Sequence, residues 1–246
     1  MILFKNIQKT FGSRRVLSGV TFEVSDGQVF FIIGASGVGK SVLIKQLVGL
    51  LRPDVGQIWL DGEEISRLSE VDMYRVRKKC AMVFQHSTLF DSMTCAQNVA
   101  LPLRKHNKLS QNDALFEANR LLDRVQMRKY AEHYPSQLGD GMRKRVAIAR
   151  ALALKPSYML FDEPTTSLDP VSARRVDRLI RELSDSLGVT SIVVSHDLVS
   201  ILSIADRIAM LYDGQVRLIG TADEFRASSD GVVQQFINGR ATGPIP

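Results

Sequence analysis

The amino-acid sequence predicts an α/β fold with a mainly parallel sheet, an antiparallel layer and an inserted helical segment. Alternating apolar and polar residues near both ends of the chain, at 1–8, 56–62 and 206–220, predict antiparallel strands, the last pair turning at Asp213-Gly214. Between residues 85 and 154, apolar residues recur at helical spacing instead. Short apolar, β-branched runs separated by helical patterns predict the buried parallel strands: 29-VFFII-33, 80-CAMVF-84, 158-YMLF-161 and 190-TSIVV-194.

Length and composition fit a soluble globular protein of one large domain or two small ones. The chain has 246 residues, is 45% hydrophobic and carries a net charge of +6. The basic residues are spread, so the charge suits a mixed solvated surface as well as nucleic acid, an anionic membrane or a phosphorylated ligand. The N-terminal segment reaches Lys5 before a secretory apolar core can form, and 29-VFFII-33 is too short to span a bilayer. A protein of this kind at a membrane would be held there by a partner.

The stretch 34-GASGVGKS-41 follows the predicted strand 29–33 and opens a helical run at 42–51, which is the context of a phosphate-binding P-loop. Its glycines let the backbone curl so that N–H groups face a phosphate, while Lys40 reaches the β- and γ-phosphates and Ser41 can ligate Mg²⁺. The alternative is a plain glycine-rich turn. From average residue usage the spacing arises by chance in roughly one such chain in a hundred.

A pair of acids follows the strand 158-YMLF-161. Asp162, at the strand end, is placed to hold Mg²⁺, commonly through water, while Glu163 points the other way and could polarise the attacking water. The alternative is a strand that ends at the protein surface with solvated acidic residues, which is common. From this segment alone, that interpretation and the catalytic one are equally supported. The P-loop upstream favours the catalytic interpretation.

Two further polar residues follow predicted strands of the same sheet. His196 comes after 190-TSIVVS-195 and Gln85 after 80-CAMVF-84, at the carboxyl edge where parallel sheets place ligands. The amide of Gln85 could touch both Mg²⁺ and water. A structural histidine and an ordinary loop glutamine are the alternatives.

The segment 138-LGDGM-142 begins a basic helical run. Gly139 and Gly141 leave backbone N–H groups bare at the helix start, and such a start attracts anions. Asp140 puts a negative charge at the same place, so the anion and the carboxylate compete.

The order of these motifs resembles that of ATP-binding cassette (ABC) ATPases, and the resemblance covers residues 1 to 220. The motifs are the P-loop, 138-LGDGM-142, 162-DEP-164, 167-SLD-169 and His196. The resemblance implies a RecA-like mixed-sheet core at 1–84 and 155–220 and a helical subdomain at 85–154. Beyond Gly220, a short apolar pattern followed by Gly and Pro predicts a C-terminal arm at 221–246 outside the core, with terminal disorder as the alternative. The resemblance also implies a homodimer that sandwiches two ATP molecules, each P-loop facing the signature helix of the other subunit.

By this resemblance each site residue has a role. Glu163 is the catalytic base, and His196, Gln85 and Lys40 complete the catalytic set. The Mg²⁺ ligands are Ser41, Gln85 and Asp162. The residues expected to bind ATP are Phe11, which stacks on adenine, the loop Gly34, Ala35, Ser36, Gly37, Val38, Gly39, Lys40, Ser41 and Val42, and, across the dimer, Gly139, Gly141, Met142 and Asp169.

The signature loop departs from the LSGGQ pattern of that family. Gly139 stands at the serine position, Asp140 at the first glycine and Met142 at the glutamine. Loss of the serine hydroxyl removes one hydrogen bond to a charged oxygen, worth on the order of 1.5–3 kcal/mol. We expect a functional but weakened clamp, with the Asp140 charge offset by three basic residues within a turn: Arg143, Lys144 and Arg145.

Three features resemble the ATPase subunit of Mla/Mce-type lipid transporters: 84-FQHSTLFDSMTCAQNVALPL-103, the methionine at the end of 138-LGDGM-142, and the tail 232-VVQQFINGRATGPIP-246. The resemblance implies a peripheral location on the cytoplasmic face of the inner membrane and an Mce-type lipid-binding subunit reached through a permease. The permease would dock near Leu89, Phe90 and Met93, although an apolar cluster at this spacing could equally be core. Phe236 and Ile237 become candidate dimer contacts.

Two other functions remain open at this stage. One is a soluble ABC ATPase of metallocofactor assembly or nucleic-acid maintenance; the absence of coiled-coil arms, zinc-type cysteine pairs and a clustered basic face weighs against it, and we expect no nucleic-acid partner. The other is a nucleotide-gated module with weak hydrolysis, which would have no chemical need for Glu163 or His196.

Overall fold

A computed structural model describes residues 1–245 and contains two sheets. The first is antiparallel with the order β2-β1-β4-β5, and β1 pairs with both β2 and β4. Its strands are β1 (Ile2–Phe11), β2 (Arg14–Val24), β4 (Val55–Leu60) and β5 (Glu63–Glu64). No strand is predicted over 14–24 from the sequence, because polar residues and Gly19 interrupt the apolar pattern there. The strand forms because β1 supplies its hydrogen bonds along almost its whole length.

The second sheet has the order β10-β9-β3-β8-β7-β6. All its neighbours are parallel except β10 and β9, which form a hairpin. The strands are β3 (Val29–Ile33), β6 (Cys80–Val83), β7 (Tyr158–Asp162), β8 (Thr190–Val194), β9 (Arg207–Tyr212) and β10 (Gln215–Gly220).

The placement of β9 and β10 corrects one prediction. They were expected in the antiparallel layer, but β9 pairs in parallel with β3, with Phe31 opposite Ile208. The turn itself is as predicted, since Asp213 and Gly214 both have positive φ. The alternating pattern at 206–220 predicts that the two strands pair with each other, but it does not predict which sheet the hairpin joins. The mixed α/β fold with its antiparallel sheet and helical segment is confirmed.

Nine α-helices among the described residues surround the sheets. None of them, within residues 1–245, is long and apolar enough to cross a membrane. They are α1 (Lys40–Leu47), α2 (Glu70–Lys79), α3 (Cys95–Asn107), α4 (Gln111–Arg124), α5 (Asp140–Leu152), α6 (Pro170–Leu187), α7 (Leu198–Ile204), α8 (Ala222–Ala227) and α9 (Gly231–Ile237).

Helices α3, α4 and α5 pack on one another in the segment that the sequence predicted to be helical. Thr94 begins α3 with a capping box that includes Gln97, and Ser110 caps α4 by accepting a hydrogen bond from the Asp113 N–H. The buried amide of Asn98 donates to the carbonyls of Phe90, Met93 and Thr94, so it holds the loop before α3.

The C-terminal segment differs from the arm that the sequence predicted. Phe225, Val232 and Val233 are buried and belong to the main hydrophobic core. Asp230, which caps α9, pairs with Arg217 of β10 at 2.6 Å. The segment therefore packs on its own chain, with α8 against α9 and β10.

Candidate functional site

A groove of about 760 Å³ lies at the carboxyl edge of the parallel sheet. Loops after β3, β6, β7 and β8 contribute to it, together with residues of β1, β2 and α9. Its lining residues are Phe11, Arg14, Val16, Gly34, Ala35, Ser36, Gly37, Gly39, Lys40, Ser41, Val42, Gln85, Glu163, Thr166, His196 and Phe236.

The loop between β3 and α1 requires glycine at its ends. Gly34 has φ +141°, and a Cβ there would lie 2.4 Å from the carbonyl oxygen of Leu211. Lys40 is buried and donates to the carbonyls of Gly34 at 2.8 Å and Ala35 at 3.0 Å, so its ammonium is held inside the curl of the loop. Burial lowers the pKa of Lys40, and the charges of Glu163 and Asp162 oppose that shift.

Ser41 and Asp162 are in direct contact behind the groove. The Ser41 hydroxyl donates to Asp162 Oδ1 at 2.5 Å, and Lys45 Nζ lies 3.9 Å from the other carboxylate oxygen. Asp162 is buried at the end of β7. The Ser41 hydroxyl and the Asp162 carboxylate thus converge from two distant segments, and their oxygens are the ligand type that Mg²⁺ prefers.

Glu163 and His196 face each other across the groove. Glu163 has φ +49° and its N–H donates to the Val194 carbonyl, which holds its backbone to the end of β8. Its Oε2 lies 2.9 Å from His196 Nδ1 and accepts a hydrogen bond from Thr166 Oγ1 at 3.2 Å. The Glu163 side chain is only 14% exposed, whereas that of His196 is 63% exposed. The imidazole can therefore meet a ligand while the carboxylate stays oriented.

Gln85 lies two residues beyond the end of β6, and its side chain lines both the groove and a neighbouring cavity. The carbonyls of Phe84 and Gln85 both accept hydrogen bonds from Lys144 of α5.

Phe11 is 44% exposed at the end of β1, and the ammonium of Lys9 lies 5.4 Å from its ring centroid. Val42 lines the groove nearby. Val38 does not line the groove but packs against the smaller core cluster, where its Cγ1 approaches Gly34.

The signature residues lie in a different place from the P-loop. Gly139, Gly141, Met142 and Asp169 line a separate cavity of about 590 Å³. Asp169 caps α6 by accepting the Ser172 N–H at 2.9 Å, and hydrogen bonding with the Ser172 side chain, then with its N–H, lowers the pKa of Asp169. Within one chain, these four residues do not meet the groove.

The charge of Asp140 is offset by one of the three basic residues expected to do so. Arg143 forms an ion pair with Asp140 one turn along α5. Lys144 turns to the carbonyls of Phe84 and Gln85, and Arg145 donates to those of Val125 and Gln126. The compensation is therefore local to one pair, because helical spacing directs the other two side chains to different faces.

Several groove residues were missed by sequence reasoning. Arg14 donates to the Gly37 carbonyl at 3.4 Å, and Thr166 contacts Glu163. Phe236 reaches the groove from α9 although it was expected at a dimer contact. Only Thr166 carried a signal, because it lies between 162-DEP-164 and 167-SLD-169.

The residues expected to receive a permease belong to one turn, in which the Met93 N–H donates to the Phe90 carbonyl at 3.1 Å, but their side chains have different surroundings. Leu89 packs against the core, while Phe90 is 50% exposed with the Arg150 guanidinium 6.0 Å from its ring centroid. Met93 lines a cavity of about 290 Å³ with residues of α3 and α4.

This fold and groove define a P-loop ATPase of the ATP-binding cassette type. The chain belongs to the ABC transporter family, whose model matches residues 17–166. It binds and hydrolyses ATP, as members of that family do.

Known relatives match over the whole chain. The intermembrane phospholipid transport system ATP-binding protein MlaF of Haemophilus influenzae is 40% identical over 100% of this chain and 93% of its own length. The methionine import ATP-binding protein MetN of Carboxydothermus hydrogenoformans is 37% identical over 100% of this chain and 74% of its own. A dimeric, post-hydrolysis structure of the ATP-binding cassette MJ0796 with ADP and Pi has a TM-score of 0.82 and 31% identity, covering 90% and 99% of the two chains.

Proposed function

We propose that this chain is the ATPase subunit of a phospholipid transporter and that two copies hold two ATP molecules between them. The observation that carries the dimeric mechanism is the division of the site residues between two cavities of one chain. Lys40, Glu163 and His196 line one, while Gly141 and Asp169 line the other. A second copy would complete each site, and the dimeric structure of the similar cassette MJ0796 supports such pairing.

The phospholipid substrate is supported by the 40% identity to MlaF over nearly the full length of both chains. The tail pattern 235-QFING-239 followed by Gly243-Pro244, which resembles lipid-transporter ATPases, gives additional support. The methionine importer subunit is 37% identical to this chain, so the experiment must distinguish a phospholipid from an amino acid as the substrate.

The residues present fit Mg²⁺, because the Ser41 hydroxyl and the Asp162 carboxylate already lie together at the end of the P-loop. Ser41, Asp162 and Gln85 would hold the ion. When bound, Mg²⁺ neutralises phosphate charge. Lys40 supplies a fixed positive charge to the β- and γ-phosphates, and the backbone N–H groups of the loop donate to phosphate oxygens.

Hydrolysis is assigned to the Glu163 and His196 pair. Glu163 accepts a proton from the attacking water, and Thr166 and His196 keep its carboxylate oriented. His196 contacts the γ-phosphate with its exposed face. Phe11 stacks on adenine at the far end of the groove.

Closure of the dimer on ATP would move a permease docked near Leu89, Phe90 and Met93, and hydrolysis would reset it. The permease would connect the ATPase to an Mce-type lipid-binding subunit and hold it on the cytoplasmic face of the inner membrane.

The test is purification of the tagged chain from gently solubilised native membranes, with mass spectrometry of what accompanies it. Recovery of a multi-span permease, an Mce-type subunit and bound phospholipid supports the proposal. Recovery of the chain with an amino-acid permease would show that the substrate is an amino acid and not a phospholipid. Recovery of the chain with soluble assembly factors or nucleic acid would overturn the transporter role.

A further inference from the structure

Lys144 is a buried lysine that the proposed mechanism does not use. It lies on α5, three residues after Gly141, and only 2% of it is exposed. A buried ammonium costs stability unless hydrogen bonds satisfy it. Burial lowers the pKa of Lys144 to about 8, while the charges of Asp162 and Asp140 oppose that shift. Because burying this ammonium lowers the stability of the fold, we look for the role of Lys144 in the groups that it contacts.

Those contacts are two backbone carbonyls of the segment that follows β6, residues 84–88, which we call the hinge segment. Lys144 Nζ donates to the Phe84 oxygen at 2.9 Å and to the Gln85 oxygen at 2.6 Å. Both residues follow β6, which is an edge strand paired only with β7 among the described strands. Beyond the strand end the ladder no longer satisfies these carbonyls, so the ammonium takes over that role.

The same helix holds the next part of the loop. Arg150 donates to the Thr88 carbonyl at 2.9 Å and lies over the ring of Phe90. The segment from Phe84 to Phe90 is thus attached to α5 at two points, and the attachment nearer the groove is Lys144.

We infer that Lys144 is a positioning residue that fixes Gln85 relative to the signature helix α5, so that Gln85 stays at the groove where the nucleotide binds. The inference rests on the proposed function. It assigns Lys144 an action through Gln85 and no contact with ATP.

Hydrogen–deuterium exchange of the purified full chain tests the attachment without any nucleotide. Lys144→Met keeps the length and apolar stem of the side chain but removes the donors. We expect exchange at residues 84–88 to rise about tenfold or more, with the strands of the parallel sheet unchanged. Arg77→Met is the matched control, because Arg77 Nε also joins a helix to a backbone carbonyl, that of Val48 at 2.9 Å, away from the hinge. A uniform rise in exchange, or none at 84–88, would overturn the inference.

Turnover of the complex recovered from membranes tests the consequence. We expect Lys144→Met to lower kcat about tenfold with KM within about twofold, and Lys144→Arg, which keeps donors, to recover most of it. In a Gln85→Ala background, Lys144→Met should have little further effect, because both changes remove the same step. Equal losses in both backgrounds, or a change confined to KM, would contradict the inference. If Gln85→Ala leaves turnover intact while Glu163→Gln abolishes it, this inference alone fails. If Glu163→Gln is also harmless, the hydrolytic role proposed for Glu163 fails as well, whereas the proposed transporter function fails only if no permease accompanies the chain.

Discussion

His196 Nδ1 lies 2.9 Å from Glu163 Oε2, and the two side chains come from the ends of neighbouring strands β8 and β7. The sheet register brings them together, since Asp162 pairs with Val194 and each side chain of the pair lies just beyond that position. Glu163 is held by three contacts, and His196 keeps an open face. This pair leads to the first prediction.

Glu163→Gln should bind ATP with nearly unchanged affinity and lose about a hundredfold or more in turnover, because the amide cannot accept the proton of the attacking water. Phosphate release and the binding of a fluorescent ATP analogue measure the two effects. Glu117→Gln, the same change on the outside of α4, is the control. Turnover near the wild-type level would remove Glu163 from the role of base.

Asp140→Gly should raise turnover or ATP-driven pairing about two- to fivefold, because it removes a negative charge from the helix start that we propose binds the partner's γ-phosphate. Arg143→Ala should do the opposite, since it leaves the Asp140 carboxylate unpaired. The two changes together form a double-mutant cycle in which the effect of Arg143 depends on Asp140. Independent effects, or a loss of both activities in Asp140→Gly, would refute the weakened-clamp interpretation.

Gly141→Ala should destabilise the chain by about 1–3 kcal/mol, because the added methyl group would meet Ser172 of α6. A Cβ at Gly141 lies 2.8 Å from Ser172 Cβ, whereas a Cβ at Gly139 meets nothing within 4 Å. Gly139→Ala is therefore the matched control and should leave stability nearly unchanged. Chemical denaturation measures both, and equal effects would show that the contact with α6 does not limit the residue at 141.

Both cysteines should resist alkylation in the folded protein. Burial raises the pKa of Cys80 to about 12 and that of Cys95 to about 11, so little reactive thiolate exists at pH 8. For Cys80 the raised pKa contributes stability that is fully present below about pH 9, the usual value, and is lost as pH rises toward 12. Iodoacetamide labelling at pH 8, with and without denaturant, checks the first statement. Comparison of Cys80→Ala with the wild type above pH 9 checks the second, and rapid labelling of the native chain would contradict both.

Local sequence patterns predicted the strand, loop and helix that hold Lys40 and Ser41, because a phosphate-binding loop is encoded in consecutive residues. The same holds for the acids after β7 and the histidine after β8. These residues could be assigned to one sheet edge from the chain order alone, since parallel strands present their carboxyl ends together.

Strand pairing, the packing of the C-terminal segment and the acceptors of Lys144 depend on contacts between residues far apart in the chain. The local sequence around these residues did not predict those contacts. Residue patterns within single segments were enough to predict the parallel core, the loop for the phosphates and the departure from LSGGQ. The folded chain was needed to show that β9 pairs with β3, that the C-terminal segment packs into the core, and that Lys144 contacts the carbonyls of Phe84 and Gln85 instead of Asp140. A strand's partner, a buried face and a lysine's acceptor depend on which surfaces meet after folding, and residue spacing within one segment cannot specify them.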